Sequence, residues 1–245
     1  MKIRIFVLAY DDETKRFAEE WTAGLPWATV VHNKTTLYLE NLMYSSWLLE
    51  HIEQWRDCDY VGTLSWKAPE KISVPDMQTL ASHLALRNPD VVPFFPSHEP
   101  MLSQAERNHP LFRQLWCGLT RELGISEDQA TDPAIPLFFC NYWMARSSWM
   151  LRYMEFFKKI QHVLDTCEPL QAGLWSDSCF NKVISDEKCM EIFGRSYYPY
   201  HCFLCERLPC LFFKLEGAAV WHPYIRFEGL EMARFAQYCE ADHEL

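Results

Sequence analysis

The stretch Lys2-Ile3-Arg4-Ile5-Phe6-Val7-Leu8-Ala9-Tyr10-Asp11-Asp12-Glu13 decides the fold. Its segment Ile3 to Ala9 is apolar almost throughout and rich in Ile, Phe and Val, the pattern of a strand buried on both faces. It ends in an acidic turn, after which Phe17, Trp21 and Leu25 recur near helical spacing. Strand, polar turn and helix open a βαβ layout. Asp11 and Asp12 suit the helix start, where carboxylates cap free amides.

The same rhythm continues outward. Thr29 to Val31 reads as a second strand. Leu39 to Trp55 reads as a long amphipathic helix burying Leu42, Trp47, Leu48, Leu49 and Ile52. A third strand, Tyr60 to Ser65, ends in Trp66-Lys67-Ala68-Pro69. A helix over Asp76 to Leu86 and a fourth strand over Asp90 to Phe95 follow. Alternation of this kind predicts an α/β fold with a mostly parallel central sheet and helices on both faces. Further on, Ser97 to Pro110 and Ser126 to Pro136 read as surface loops, with a helix over Leu111 to Leu123 between them. Leu137 to Ala145 reads as one strand. Helices are expected over Ser147 to Asp165, Asp177 to Ser185 and Cys202 to Leu215, then a short strand near Ala218 to Trp221 and a last helix from Glu228. No repeat or low-complexity linker interrupts residues 1–245, so a single domain is expected.

Composition narrows the classes. A chain of 245 residues with 49% hydrophobic and 23% charged residues can bury one substantial core. Its net charge of −10 lacks the basic face that nucleic acid requires. The amino-terminal apolar run is too short for a secretory signal, and no stretch approaches a transmembrane helix. Ten scattered cysteines are therefore expected as reduced thiols in a cytoplasmic setting. Cys202, Cys205 and Cys210 cluster beside His201, but no second CxxC completes a structural zinc site.

In a parallel α/β sheet, ligands bind beyond the carboxyl ends of the strands. Three such ends are readable: Tyr10-Asp11-Asp12, Ser65-Trp66-Lys67 and Phe94-Phe95-Pro96. No GxGxxG, GxxxxGK[ST] or GxSxG is present, which argues against a Rossmann dehydrogenase, a P-loop NTPase and an elbow-type hydrolase.

Five segments in this order resemble a known group. They are Lys2 to Tyr10; Glu40-Asn41 with Tyr44 and Trp47, leading to Asp59-Tyr60-Val61-Gly62-Thr63-Leu64-Ser65-Trp66-Lys67; Asp90-Val91-Val92-Pro93; Cys140-Asn141-Tyr142-Trp143-Met144 with Tyr153 and Phe156; and Phe203-Leu204-Cys205-Glu206-Arg207-Leu208. Together they resemble the capsular-polysaccharide type of glycosyltransferase domain and the related domain of large algal viruses. Bacterial members read H-Y-R-R where this chain has Ser65-Trp66-Lys67-Ala68, and carry a Gly where it has Cys202. The resemblance implies a type-A nucleotide-diphosphosugar fold and transfer of a sugar from a nucleotide-sugar donor onto a growing glycan acceptor.

Sugar transfer needs a grip on the nucleotide, charge stabilisation of the leaving diphosphate and, for inversion, a base for the acceptor hydroxyl. On this basis Ala9, Tyr10, Asp11, Gly62, Ser65, Lys67 and Arg207 are the candidate donor-binding residues. Gly62 is equally read as a close-packing position, and Arg207 as half of an ion pair with an acid. Asp177 is the candidate base, with Asp90 second. Asn141, Trp143 and Trp175 are the candidate acceptor contacts. A divalent cation such as Mn²⁺ or Mg²⁺ would need carboxylates after the third strand. The literal Asp57-Cys58-Asp59 instead precedes that strand, and Lys67 stands where the acids belong, so its ammonium is expected to meet phosphate charge.

Overall fold

The computed structural model describes residues 1–33, 41, 43–73, 77–97, 99–179 and 185–222. The opening run forms strand β1 (Ile3–Ala9) as expected. Asp11 then caps helix α1 (Asp12–Thr22). Its carboxylate accepts from the Thr14 amide at 2.8 Å, and the Thr14 hydroxyl accepts from the Asp11 amide at 3.0 Å. Strand β2 (Ala28–His32) lies parallel to β1. The helix expected over Leu39 to Trp55 lies partly outside the described residues. Its described part is broken into a π-helical turn (Met43–Trp47), a short α2 (Leu48–Glu50) and a 3₁₀ turn (Ile52–Gln54). The Trp55 indole folds back to donate to the Leu48 carbonyl at 2.7 Å.

Strand β3 (Tyr60–Ser65) is parallel to β1 and is followed by α3 (Ala68–Lys71), α4 (Met77–Arg87) and β4 (Val91–Pro93). A two-residue strand β5 (Pro96–Ser97) leads into α5 (Met101–Asn108), α6 (Phe112–Glu122) and α7 (Glu127–Ala130). The chain returns through β6 (Leu137–Phe138) and β7 (Trp143–Arg146), then α8 (Ser147–Thr166), α9 (Glu168–Leu174), α10 (Asp186–Phe193) and α11 (Tyr200–Leu215).

The sheet order is β2-β1-β3-β7-β4, and β7 runs antiparallel to both of its neighbours. The sheet is therefore mixed, and the mostly parallel sheet expected from the alternation is corrected. The reason is geometric. β5 pairs antiparallel with β6, so the α5–α7 excursion leaves and re-enters at the same edge, the one where β4 ends. A strand entering from that edge can only run back against its neighbours. An apolar run in sequence carries no such direction.

Other expectations change too. Ser97 to Pro110 is not a polar excursion, because α5 buries Met101, Leu102 and Ala105. Leu137 to Ala145 is not one strand, because Cys140 (φ 61°) and Asn141 (φ 55°) adopt left-handed conformations and break it. Asp177 pairs with Pro199 in an isolated bridge, and residues 180–184 of the helix expected there lie outside the described residues, as does the helix expected from Glu228. Val220 makes a single parallel bridge to Val91 where a short strand was expected.

Side chains alternate across the sheet, so one strand feeds two cores. Phe6, Leu8, Val61, Trp143 and Ala145 pack with α6, α8 and α11, whereas Ile5, Val7, Tyr60, Leu64 and Met144 pack with α1, α3 and α4. Gly62 of β3 stands opposite Met144 of β7. A β-carbon there would stand 2.4 Å from the Trp143 carbonyl oxygen and 2.5 Å from Met144 Cβ. Overpacking of this kind costs about 1–3 kcal/mol. Gly62→Ala should lower the unfolding free energy by at least that amount, read as a reduced denaturation midpoint; an unchanged midpoint would show the β3–β7 contact to be looser than described.

Candidate functional site

Because β7 runs backwards, its first residue meets the end of β3: Thr63 is opposite Trp143 and Tyr60 opposite Arg146. The turn that precedes β7 therefore stands at the edge where β1, β3 and β4 finish. Backbone bonds knit this edge together. Trp66 N donates to Leu8 O at 2.8 Å, Asn33 N to Ala9 O at 2.7 Å, Phe94 N to Tyr142 O at 2.7 Å and Phe139 N to Phe95 O at 2.8 Å. Ala9, Tyr10, Ser65, Lys67 and Asn141 thus share one rim.

At its centre is the Cys140–Asn141 turn. Left-handed backbone costs a non-glycine residue roughly 1–2 kcal/mol, and Asn tolerates it better than Cys. The turn is held from several sides. Thr63 donates its hydroxyl hydrogen to the Asn141 carbonyl at 2.7 Å. That hydroxyl has only one hydrogen, so its 2.6 Å contact with Tyr44 must be donated by the phenol. Asn141 Nδ2 donates to Asn41 Oδ1 at 3.2 Å, and the Ser65 and Tyr142 hydroxyls bond to each other. Asn33, Asn41, Thr63, Ser65 and Asn141 are all buried. Burying polar groups is costly unless they are hydrogen-bonded, and most of these are bonded to one another or to the turn. Asn141 Oδ1 is buried without a hydrogen-bond partner among the described residues.

Two charged residues of α11 brace the turn. Glu206 accepts the Cys140 amide at 2.6 Å and pairs with Arg207 at 2.8 Å. Their side chains are 18% and 4% exposed. Burial works to raise the Glu206 carboxyl, but the Arg207 guanidinium, the Cys140 amide and the Lys71 ammonium together outweigh it and hold the carboxyl below its ordinary range. Arg207 also donates to Gln104 Oε1 at 2.9 Å and lies 5.1 Å from the Phe139 ring centroid. It forms the ion pair with a neighbouring acid, set beneath the rim.

The remaining candidates divide by place. Asp11 is occupied as the α1 cap, and Gly62 lies at the β3–β7 contact. Lys67 pairs with Glu70 at 3.5 Å and lies 5.4 Å from the Trp66 ring. Trp143 is corrected from a surface-stacking role: it is fully buried, with Tyr44 stacked on it at 5.1 Å and Tyr153 and Phe213 at its edges. Asp90 precedes β4 at the opposite edge of the sheet, where it accepts from Ala219 N at 2.8 Å and faces Arg146 at 3.8 Å. Asp59 is at that edge too, accepting from Lys2 N at 2.6 Å.

Asp177 and Trp175 stand near the start of α11. Asp177 Oδ1 accepts from Cys179 N at 2.8 Å. Trp175 stacks on His201 at 4.9 Å and carries the Arg195 guanidinium at 5.0 Å. His109, recruited from the end of α5, links this group to the brace. Its Nδ1 lies 3.1 Å from the Ser178 carbonyl and its ring 4.0 Å from Phe203, one helical turn before Arg207. Burial lowers the His109 pKa, and it lowers that of His201 from 6.5 to about 4. Lys71, Gln104 and His109 are site neighbours that the sequence does not single out. No motif marks them, and tertiary folding alone brings each to its partner. Among the described residues no three His, Cys, Asp or Glu side chains gather to hold a metal. The rim carboxylates Asp11 and Glu206 are engaged, in the α1 cap and in the ion pair with Arg207.

No family model matches the chain, and no curated protein does. Among solved structures it overlaps the apo structure of WbbM, a bifunctional glycosyltransferase, with a TM-score of 0.49 and 11% identity, over 94% of this chain and 46% of that one. The chain thus spans less than half of that structure's length. An overlap so loose carries no function, which has to come from the site itself. No helix among the described residues is long and apolar enough to cross a membrane.

Two outcomes follow from the brace and the buried imidazoles. Removing one partner of a buried ion pair costs about 3–5 kcal/mol, because the other charge is left without compensation. Arg207→Met should therefore destabilise the protein by that order, and Glu206→Gln added to it should cost less than the sum of the two single changes; strict additivity would show that the pair is not coupled. For His201, the folded pKa is depressed, so between pH 6.5 and about 4 the unfolded chain binds a proton that the folded one does not. Stability is then complete above pH 6.5 and falls by about 1.4 kcal/mol per pH unit below it. Denaturant melts at pH 7.5, 6 and 5 should show this slope flattened in His201→Phe; an equal slope in both proteins would assign the acid sensitivity elsewhere.

Proposed function

We propose that the chain is a glycosyltransferase that moves a sugar from a nucleotide-diphosphate donor onto a glycan or glycoconjugate acceptor. The observation that carries this reading is the convergence of Tyr10, Lys67 and Asn141 on one rim, around a strained turn fastened by buried polar groups. Non-glycine residues in left-handed backbone cluster where function demands a fixed geometry. The segments that resemble the capsular-polysaccharide glycosyltransferases include the strands and the turn that build this rim.

Roles follow from position. Tyr10 and the backbone of Ala9 and Asp11 stand where β1 ends and would meet the nucleotide. Ser65 and Lys67 stand where β3 ends and would meet the diphosphate, the ammonium stabilising negative charge as the sugar bond breaks. Asn141 offers a buried amide oxygen to a sugar hydroxyl. Glu206 and Arg207 hold the turn in place. Asp177 is the proposed base, taking the proton of the acceptor hydroxyl, with the Trp175 ring beside it for the acceptor. Along α11, Tyr200 and Glu206 are separated by about 9 Å, a spacing suited to a donor at the turn and an acceptor near Asp177. Asp90, at the far edge, has no part in this scheme.

One observation favours a second reading, a nucleotide-sugar-binding or glycan-binding module without turnover. Two described rim carboxylates, Asp11 and Glu206, are committed to a cap and an ion pair rather than to a Mn²⁺ or Mg²⁺ ion. Melting in the presence of UDP-, GDP- and dTDP-sugars, with and without Mn²⁺, addresses both. At least one donor should raise the melting temperature and be consumed when acceptor is present. Stabilisation without hydrolysis or transfer would select the binding module, and stabilisation by none would remove both readings. Within an active enzyme, Asp177→Asn should lower kcat by about 100-fold or more while leaving donor affinity near the wild-type value; equal loss in both would take Asp177 out of the base role.

A further inference from the structure

We propose that Arg195 binds an anionic group, a carboxylate or a phosphate, carried by the acceptor glycan. The assignment rests on the glycosyltransferase reading and names the class of its acceptor. The connection from α10 to α11, residues 194–199, is clasped to the residues that follow α9. Ser178 N donates to Tyr198 O at 3.0 Å, and Tyr200 N donates to Ser176 O at 3.3 Å. Asp177 and Pro199 pair antiparallel between these bonds, and the Tyr197 hydroxyl donates to Trp175 O at 3.1 Å. The clasp lays the Arg195 guanidinium over the Trp175 ring, 5.0 Å from its centroid. The buried His201 imidazole stacks almost parallel to the same ring, at 4.9 Å and 6°.

Three features of this place suit an anion. First, the contacts of Arg195 among the described residues are the Trp175 ring and the Phe193 carbonyl, the latter at 3.3 Å. Neither carries a compensating charge, whereas Arg107, Arg113, Arg146, Arg152 and Arg207 each meet a carboxylate. Second, a guanidinium presents its donors as a planar fork, which meets two oxygens of one carboxylate or phosphate at once. Third, the group is open to a ligand: Arg195 and Trp175 are half-buried, and Asp177 is exposed. The chain carries a formal net charge of −10, and the proposed base is itself an acid, so an anionic acceptor needs a local cation to approach it. Trp175 then serves the acceptor by orienting Arg195. The sequence hides this arrangement, because residues 175 and 195 meet only through the clasp.

The test is binding of the full chain to an array of oligosaccharides, each uronate- or phosphate-bearing glycan matched by its carboxyl-reduced or dephosphorylated form. Calorimetric titration of the best pair then compares the native chain with Arg195→Gln and Arg195→Lys, each checked for an unchanged melt. The native chain should bind the anionic member about tenfold or more tightly than its neutral match, and the pair that shows this distinguishes carboxylate from phosphate. Arg195→Gln should weaken the anionic member by on the order of tenfold to a hundredfold, the worth of one charged hydrogen bond, and the neutral member little. Arg195→Lys should recover only part of the loss, and nucleotide-sugar affinity should hold in both variants. No anionic preference in the native chain, a preference kept by Arg195→Gln, or equal loss on both members would overturn the assignment. Transfer confined to neutral acceptors would also overturn it while leaving the glycosyltransferase reading in place. An Arg195-dependent preference with no nucleotide-sugar bound would keep the anion site and remove the sugar-transfer reading.

Discussion

Thr63 gives its one hydroxyl hydrogen to the carbonyl of Asn141, and the layout of the rim depends on that bond. The hydroxyl lies in the fully buried middle of the sheet, where a polar group without a partner would be costly. Its hydrogen reaches that carbonyl because the chain arrives at β7 through a left-handed turn. The Tyr44 phenol completes Thr63 from below, and Glu206 fastens the neighbouring Cys140 amide from α11. A turn that would be unfavourable alone is thus fixed by contacts from β3, α3 and α11 together.

The reversed strand gives this turn its place. Because β7 enters between β3 and β4 from their carboxyl edge, the loop before it joins the loops after β1, β3 and β4. The rim is thereby lined by four connections, one of them running the opposite way. Helix α11 extends the arrangement: its first turn carries Tyr200 and His201 beside Asp177 and Trp175, and its second carries Glu206 and Arg207 under the turn. One rigid helix therefore sets the spacing between the two ends of the proposed reaction.

Much of the fold was legible in the sequence. β1 and β3 were readable to the residue, because strands buried on both faces are nearly continuous apolar runs bounded by acidic or aromatic turns. The reversal of β7 was not legible, since hydrophobic pattern is blind to strand direction. Nor was the break at Cys140–Asn141, because both sit inside an apolar run and neither is Gly. Of the candidate site, Tyr10, Ser65 and Lys67 could be placed on the rim from strand ends alone, whereas Asn141 sat inside an expected strand. Trp143 was misplaced because an indole at a strand start looks the same whether it faces a ligand or a core. The contribution of Lys71, Gln104 and His109 depends on contacts between distant segments, which no local spacing encodes.

The central claim is that this rim receives a nucleotide-sugar, and a crystal structure of the chain with its stabilising nucleotide-diphosphosugar tests it most directly. The account predicts the nucleotide along the loop after β1, with the diphosphate by Ser65 and Lys67 and the sugar pointing toward the start of α11. A ligand seated at the opposite edge, by Asp59 and Asp90, would contradict it.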